Sequence, residues 1–442
     1  MSNQHNLTGP IGNAYLAELG KYVVTEPYPF VLDIARCDGM WLATVDGGKV
    51  FDWTGFYGSR LIGYNHPGMA EPDYVRRLVF AANIKTANPD FLTPECVEYY
   101  RTVYNLAPRC MKNPQLEVYA VNSGAEAIEN MMKYFINLFH QARGRKTQPG
   151  EHCRFIYFQK AFHGRTIFTL NVTQTSDPVA TKDFHGFIPD NLSLPFPEVN
   201  NSAPAAENRA RTNEVLHLLE NLLKQHAGEI VGIIVEPIQG AGGHRTAEPE
   251  FFQGVSRLAH EHNVFLGFDE VQTAGGTTGD IFMVDQLDLP HPPQAVAVAK
   301  KFGCGVVYML RTMLDYGVLD STWGGSLADM VRFVQEMKIV ERENLVAAAK
   351  MNGEKLAAGL RELELQFPQL LYNVRGQGLY QGFSTRTAEQ CESLGAIALR
   401  DEGLLLLTAG KNNVRLRPNL SVTTAEIELL LAMLARCLTR LF

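Results

Sequence analysis

The run VFLGFDEVQT (264–273) carries its chemistry where its hydrophobicity stops. Apolar residues and one glycine, as in a buried strand, lead straight into Asp269 and Glu270. A buried carboxylate without a partner is costly, so a cation should wait beside it. A second apolar run, QAVAVAKK (294–301), ends in Lys300 and Lys301. A third, LEVYAV (116–121), leads into Asn122, Ser123, Gly124, Ala125 and Glu126. Ser123 and Glu126 have capping-box spacing, which starts a helix there. Gly124 and Ala125 leave the N–H groups of its first turn uncovered, and such a terminus suits a phosphate. CRFIYFQ (153–159) is followed by Phe162, His163 and Arg165, and EIVGIIV (229–235) by Glu236 and the glycine-rich QGAGG. Singly, each reading stays open. The third could be only a well-capped helix, the second a strand surfacing in lysines, the first half of an ordinary ion pair. Together, a phosphate cradle, an aromatic ring, a carboxylate and a lysine are what pyridoxal phosphate requires for its phosphate, flat ring, ring nitrogen and aldehyde. On that reading the cation awaiting Asp269 is the cofactor's protonated ring nitrogen.

These residues need a scaffold that brings them to one edge. Strands at 116–121, 153–159, 229–237, 264–271 and 294–301, with a further strand in GVVYML (305–310), alternate with helical runs at 125–141, 213–226 and 251–263. That alternation argues for a parallel sheet covered on both faces. Ligands of such sheets bind beyond the carboxyl ends of the strands, where all five polar clusters fall. After about residue 328 long amphipathic helices lead to short strands (GLYQGFS, LLLLTAG, NVRLRP) and a last helix, which reads as a smaller α+β domain. The expected division is an N-terminal segment 1–65 joining the small domain, a large cofactor-binding domain 66–325, and a C-terminal small domain 326–442.

Composition narrows the function. The chain has 442 residues and net charge −7, which disfavours nucleic acid or an anionic membrane as main partner. No stretch is apolar enough to span a bilayer, and MSNQHNLTGP has neither a basic nor an apolar leader region. Seven scattered cysteines, without metal-ligand spacing, point to a reducing, cytoplasmic setting with no structural disulfide or metal site. A nucleotide-binding protein on a doubly wound sheet is the competing class. Its glycine fingerprint is missing; GCG at 303–305 is a weak substitute.

VNSGAEAIEN, AFHGRT, VEPIQG, FDEVQT, the lysine of VAVAKK and DSTWGG occur in that order. Together they resemble the class III aminotransferases of the fold-type-I pyridoxal phosphate enzymes, with similarity from about Trp53 to near the end. STWGGSLADMVR, AFHGRT and NVRLRPNLSVTTAEI look most like L-lysine 6-aminotransferases. The resemblance implies a large domain with a mostly parallel sheet between helices plus a smaller α+β domain. It implies ping-pong transfer of an amino group from an amine or amino-acid donor, lysine-like at its terminal amine, to 2-oxoglutarate. It assigns Lys300 the covalent bond to the cofactor and the proton shuttle, and Asp269 the ring nitrogen. Val271 and Phe162 take the two ring faces; Ser123, Gly124 and Ala125 take the phosphate. Gln272 reaches the ring hydroxyl and the substrate, and Arg165 and Arg415 grip carboxylates, for which a planar guanidinium is suited. Thr322 reaches the phosphate of a neighbouring subunit, which implies a homodimer with shared sites.

Competing assignments accompany these. Lys301 could replace Lys300, Arg165 could neutralise the phosphate region, and Arg417 could replace Arg415, since strand alternation sends both to one face. His163 and Glu236 are expected behind the site, and Glu270 is expected to turn to a structural partner. The sequence also departs from the pattern. Many aminotransferases acting on terminal amines carry, after VEPIQG, a glutamate that gates the arginine matching Arg415; here Ala241 stands there. The alternatives are a class III racemase or aminomutase, or an aminotransferase for a different carboxylate-bearing donor.

Overall fold

The computed structural model describes residues 7–143, 153–174, 191–313 and 315–441. Residues 1–6 of the N-terminus and Phe442 of the last expected helix lie outside them. The strands in chain order are β1 (Trp41–Ala43), β2 (Lys49–Asp52), β3 (Glu117–Val121), β4 (Arg154–Phe158), β5 (Leu192–Leu194), β6 (Ile230–Val235), β7 (Ile238–Gln239), β8 (Arg245–Thr246), β9 (Phe265–Asp269), β10 (Ala295–Val298), β11 (Gly305–Met309), β12 (Leu371–Gln377), β13 (Tyr380–Thr385), β14 (Leu404–Leu405), β15 (Leu407–Ala409) and β16 (Asn413–Leu416).

Seven of them form the central sheet, in the order β3-β11-β10-β9-β6-β4-β5. Successive side chains of a strand point to opposite faces, and here both faces are buried. On β10, Ala295 and Ala297 face the helix Gly124–Ala142, whereas Val296 and Val298 face the core that includes Phe251, Val255 and Leu258 of the helix Pro249–Glu261. This is why the strands read as continuous apolar runs rather than alternating ones. The helix Gly124–Ala142 lies so close that a Cβ on Gly232 would come 2.7 Å from Phe135, and one on Gly267 2.6 Å from Met131.

One expectation changes. β10 and β11 pair antiparallel, and β11 is also antiparallel to β3, while the other pairings in this sheet are parallel. Only residues 299–304 join β10 to β11. A parallel return needs a crossover of a dozen or more residues, so this connection can only reverse. Lys300 lies in the reversal.

The C-terminal part builds an antiparallel sheet, β12-β13-β16-β15, packed by the helices Leu345–Gln366 and Ala388–Glu402, against which the helix Thr424–Leu441 packs in turn. β12 was not anticipated, because YNVRGQ lacks a long apolar run. A third sheet joins the two ends of the chain: β2 pairs antiparallel with β1 and parallel with β14. Among the described residues no helix is long and apolar enough to cross a membrane, and no group of three or more His, Cys, Asp or Glu could hold a metal ion.

Candidate active site

The carboxyl ends of β3, β4, β6, β9 and β10 open into one cavity of about 310 Å³. Ser123, Gly124, Ala125, Phe162, Arg165, Asp269, Val271, Gln272 and Lys300 all border it, as do His163 and Glu236. Thr322 and Arg415 do not border it. Thr322 is exposed on the bend before the helix Leu327–Arg342, and Arg415 lies on β16.

Each residue owes its place to a local device. Ser123 Oγ accepts the N–H of Glu126, as expected of an N-cap. The reciprocal half of the capping box differs: Glu126 accepts from the backbone N–H and the side-chain amide of Asn122 instead of from Ser123. Gly124 is needed for fit, since a Cβ there would come 2.9 Å from Val271 and 3.3 Å from Ala299. The helix start can therefore press against the strand ends that carry Asp269 and Lys300.

Asp269 is buried with its oxygens placed. Oδ1 accepts the N–H of Val271 at 3.0 Å, and Oδ2 lies 2.8 Å from His163 Nδ1. Among the described residues His163 Nε2 is buried without a hydrogen-bond partner. Behind this pair, Glu236 accepts from the N–H groups of Phe162 and Gly240 at 2.9 and 3.1 Å. Burial pushes its pKa up to about 7, with His163 and Asp269 acting on it in opposite directions. Glu270 turns away, as its neighbourhood requires. It accepts from Thr273 and from the backbone of Met283 and Val284, and burial raises its pKa to about 7.

The two lysines separate cleanly. Lys301 is buried and donates to the carbonyls of Gln272 and Ala274 at 3.0 and 3.2 Å, away from the cavity. Lys300 has φ +54°, in the left-handed region that a non-glycine residue rarely occupies, so its side chain leaves the short turn toward the cavity. Its Nζ donates to the Tyr57 carbonyl at 3.2 Å. Burial, then the neighbouring charge of Arg415, lowers its pKa to about 8. At pH 7 roughly a tenth of such an amine is uncharged, far more than at the ordinary lysine pKa, which suits a nucleophile and proton carrier.

The arginines also divide. Arg417 donates to the Gln381 and Leu416 carbonyls, meets His244 Nδ1 at 2.9 Å, and lies 3.3 Å from the centre of the Tyr380 ring. Arg415 is buried, yet among the described residues its hydrogen bond is one from Nη2 to the Thr408 carbonyl, and its Nε has none. Arg165 is exposed, its guanidinium 5.9 Å from the Phe162 ring centre. Gln272 Oε1 accepts the Tyr380 hydroxyl at 2.9 Å.

Sequence reasoning passed over Tyr57, Tyr28 and Tyr380. For Tyr57 a signal existed: Gly55 and Gly58 flank Phe56 and Tyr57 in GFYG. All four residues take positive φ, a left-handed turn that puts the Tyr57 carbonyl over Lys300. Tyr28 and Tyr380 had no local signal.

A lysine whose pKa burial lowers, a buried carboxylate, a helix terminus with a glycine that only close approach explains, and an aromatic ring border one cavity, as an enzyme built around pyridoxal 5′-phosphate requires. The chain belongs to the class III aminotransferases: residues 22–438 match the family described as "Aminotransferase class-III". It is similar to the L-lysine-epsilon aminotransferase of Amycolatopsis lactamdurans, 31% identical over 95% of this chain and 94% of the relative. It is 33% identical to that of Mycobacterium tuberculosis H37Rv, over 94% and 93% of the two chains. Among solved structures it is similar to lysine aminotransferase from M. tuberculosis in the internal aldimine form. The TM-score is 0.90 and the identity 30%, over 98% of this chain and 100% of that one. The protein is thus a pyridoxal-phosphate-dependent transaminase of the fold-type-I class, and its substrates are an amine and an oxo acid.

Proposed function

We propose that the enzyme moves the amino group of a donor with a lysine-like terminal amine to 2-oxoglutarate by a ping-pong mechanism. The observation that carries the acceptor half is Arg415: a buried guanidinium with an unpartnered Nε is a ready partner for an oxo-acid carboxylate. When bound, the cofactor supplies an electron sink for the pair released as a proton leaves the donor carbon. The chain supplies the rest. Asp269 holds a proton at the ring nitrogen, and His163 and the Val271 N–H fix its carboxylate. Phe162 and Val271 confine the ring from its two faces. Ser123, Gly124 and Ala125 receive the phosphate at the helix start. Lys300 holds the cofactor and then carries the proton at Nζ. Gln272, oriented by Tyr380, reaches the ring hydroxyl and the substrate, and Arg165 takes a second carboxylate.

We assign the division 1–65, 66–325 and 326–442 to an N-terminal segment, a cofactor domain and a small domain; the pairing of β2 with β14 supports attaching the first to the third. We also assign a cytoplasmic homodimer, with no membrane or nucleic-acid partner. The exposed position of Thr322, outside its own chain's cavity, supports its action on a phosphate bound by the other subunit. Sedimentation at assay concentration is expected to give a dimer; a monomer with full activity would remove Thr322 from the site.

Ala241 gives a second test. Its neighbour Gly240 packs against Gln272 and the Tyr380 hydroxyl, and Tyr380 is among the groups acting on Arg415. A carboxylate installed by Ala241→Glu should pair Arg415 and weaken acidic substrates relative to neutral or cationic ones. The expected size is about 1.5–3 kcal/mol, the scale of a hydrogen bond to a charged group. Specificity constants for glutamate, lysine and a diamine in both proteins are the measurement. Unchanged ratios would show that Arg415 is not the residue that position governs.

A further inference from the structure

His244 and Arg417 are buried, and neither borders the cavity. His244 precedes β8 and takes φ +53°, a left-handed conformation that a non-glycine residue rarely adopts. Its ring lies against β13, where a Cβ on Gly382 would come 2.5 Å from it. Both ring nitrogens are engaged: Nδ1 meets Arg417 Nη2 at 2.9 Å, and Nε2 meets the Arg375 carbonyl at 3.1 Å. A guanidinium only donates and a carbonyl only accepts, so these partners fix the tautomer. Nδ1 accepts, Nε2 carries the proton, and the ring is neutral. Burial and the charges of Arg417 and Arg375 keep it so, holding its pKa well below the usual histidine range.

Arg417, held by His244 and by the Gln381 and Leu416 carbonyls, bonds no carboxylate among the described residues. Its guanidinium lies over the Tyr380 ring instead, and the His244 ring tilts against the same phenol at 5.2 Å. Burial raises the pKa of this phenol; Arg417 and then Arg415 act against that rise, while Glu236 adds to it. The cation thus strengthens the hydroxyl as a donor, and the hydroxyl donates to Gln272 Oε1. A bare Gly240 permits the contact, since a Cβ there would come 2.6 Å from Oε1 and 3.0 Å from the hydroxyl. With Oε1 turned to Tyr380, the amide nitrogen is the end of Gln272 left for the cavity that it borders.

Resting on the reading that Gln272 reaches the cofactor's ring hydroxyl, we propose that His244 and Arg417 are positioning residues for Gln272. The chain from the Arg375 carbonyl through His244, Arg417 and Tyr380 holds the amide with its N–H groups outward. Gln272 then only donates to the ring oxygen and favours its ionised form. A freed amide can turn its carbonyl outward, and an acceptor facing an ionised oxygen repels it.

The test reads the visible absorbance of the resting holoenzyme against pH. That absorbance reports the proton which the bound cofactor shares between its ring oxygen and the Lys300 nitrogen. A donor on the oxygen stabilises its charge after the proton has gone, so the proton leaves at lower pH. Tyr380→Phe keeps the ring under Arg417 and removes the hydroxyl; it should raise the midpoint by about one pH unit. Gln272→Leu should raise it similarly, and the double variant no further, because Tyr380 acts through Gln272. Arg417→Met, which fills the space without the cation, should also raise it. His244→Gly and His244→Asn both tolerate the left-handed backbone. The first offers Arg417 no side-chain acceptor and should raise the midpoint; the second offers an oxygen and should stay near the parent. A midpoint moved by Gln272→Leu and unmoved by Tyr380→Phe would overturn the inference and leave the Gln272 reading standing. So would additive shifts in the double variant, or a parental midpoint in cofactor-loaded Arg417→Met or His244→Gly. A midpoint unmoved by Gln272→Leu would overturn the Gln272 reading, and this inference with it.

Discussion

Lys300→Ala is expected to abolish turnover and leave the fold standing. The side chain makes one hydrogen bond, to the Tyr57 carbonyl, and otherwise borders the cavity. Its removal costs the core little. On the proposed assignment it takes away both the covalent anchor and the amine, whose pKa burial and Arg415 lower to about 8. General acid–base catalysis alone supplies about 10²–10⁴ in rate, and loss of the anchor adds to that, so the deficit should be four orders of magnitude or more. Borohydride reduction of the parent enzyme followed by peptide mapping identifies the modified lysine. A label on Lys301 would reverse the assignment. Lys301→Ala should behave differently, removing a buried ammonium from the Gln272 and Ala274 carbonyls and therefore lowering stability.

Asp269→Asn is expected to keep cofactor bound and to slow the reaction by two to four orders of magnitude. A carboxylate beside the ring nitrogen favours its protonated form, and a neutral amide does not. The substitution also disturbs the support. Asp269 offers one oxygen to the Val271 N–H and the other to His163, and an amide has only one oxygen to offer. Single-turnover rates with a common donor, read beside the cofactor spectrum, are the measurement. A near-parental rate would show that another group holds the ring nitrogen.

Much of this site was legible before any coordinates. Five strand ends carried polar clusters, and a parallel sheet gathers such ends on one edge, so Gly124, Phe162, Glu236, Asp269 and Lys300 could be placed together by topology alone. The direction of β11 was harder, because an apolar strand reads the same either way. The length of its connection to β10 held the answer. Topology alone left Lys300 and Lys301 as alternatives; the resemblance pointed to Lys300, and the structure sends Lys301 instead to the Gln272 and Ala274 carbonyls. Tyr380 was out of reach because its hydroxyl meets Gln272 from a distant part of the chain, and nothing local marks such a contact. β12 was missed because its burial comes from the helix Leu345–Gln366 and its pairing with β13 rather than from an apolar sequence.

The reversed strand also orders the molecule in time. Among the described residues β3, whose end leads into the turn proposed to receive the phosphate, stands at the margin of the central sheet and pairs only with β11. β11 is synthesised long after β3, and at roughly 5–20 residues per second the interval is on the order of ten to forty seconds. During translation the phosphate-binding turn therefore waits beside an unpaired strand. β11 then arrives on one side of Lys300 just as β10 has arrived on the other. The residues proposed to hold the cofactor, Ser123 to Ala125 on one side and Asp269 and Lys300 on the other, are therefore brought to one edge only once β10 and β11 have joined the sheet.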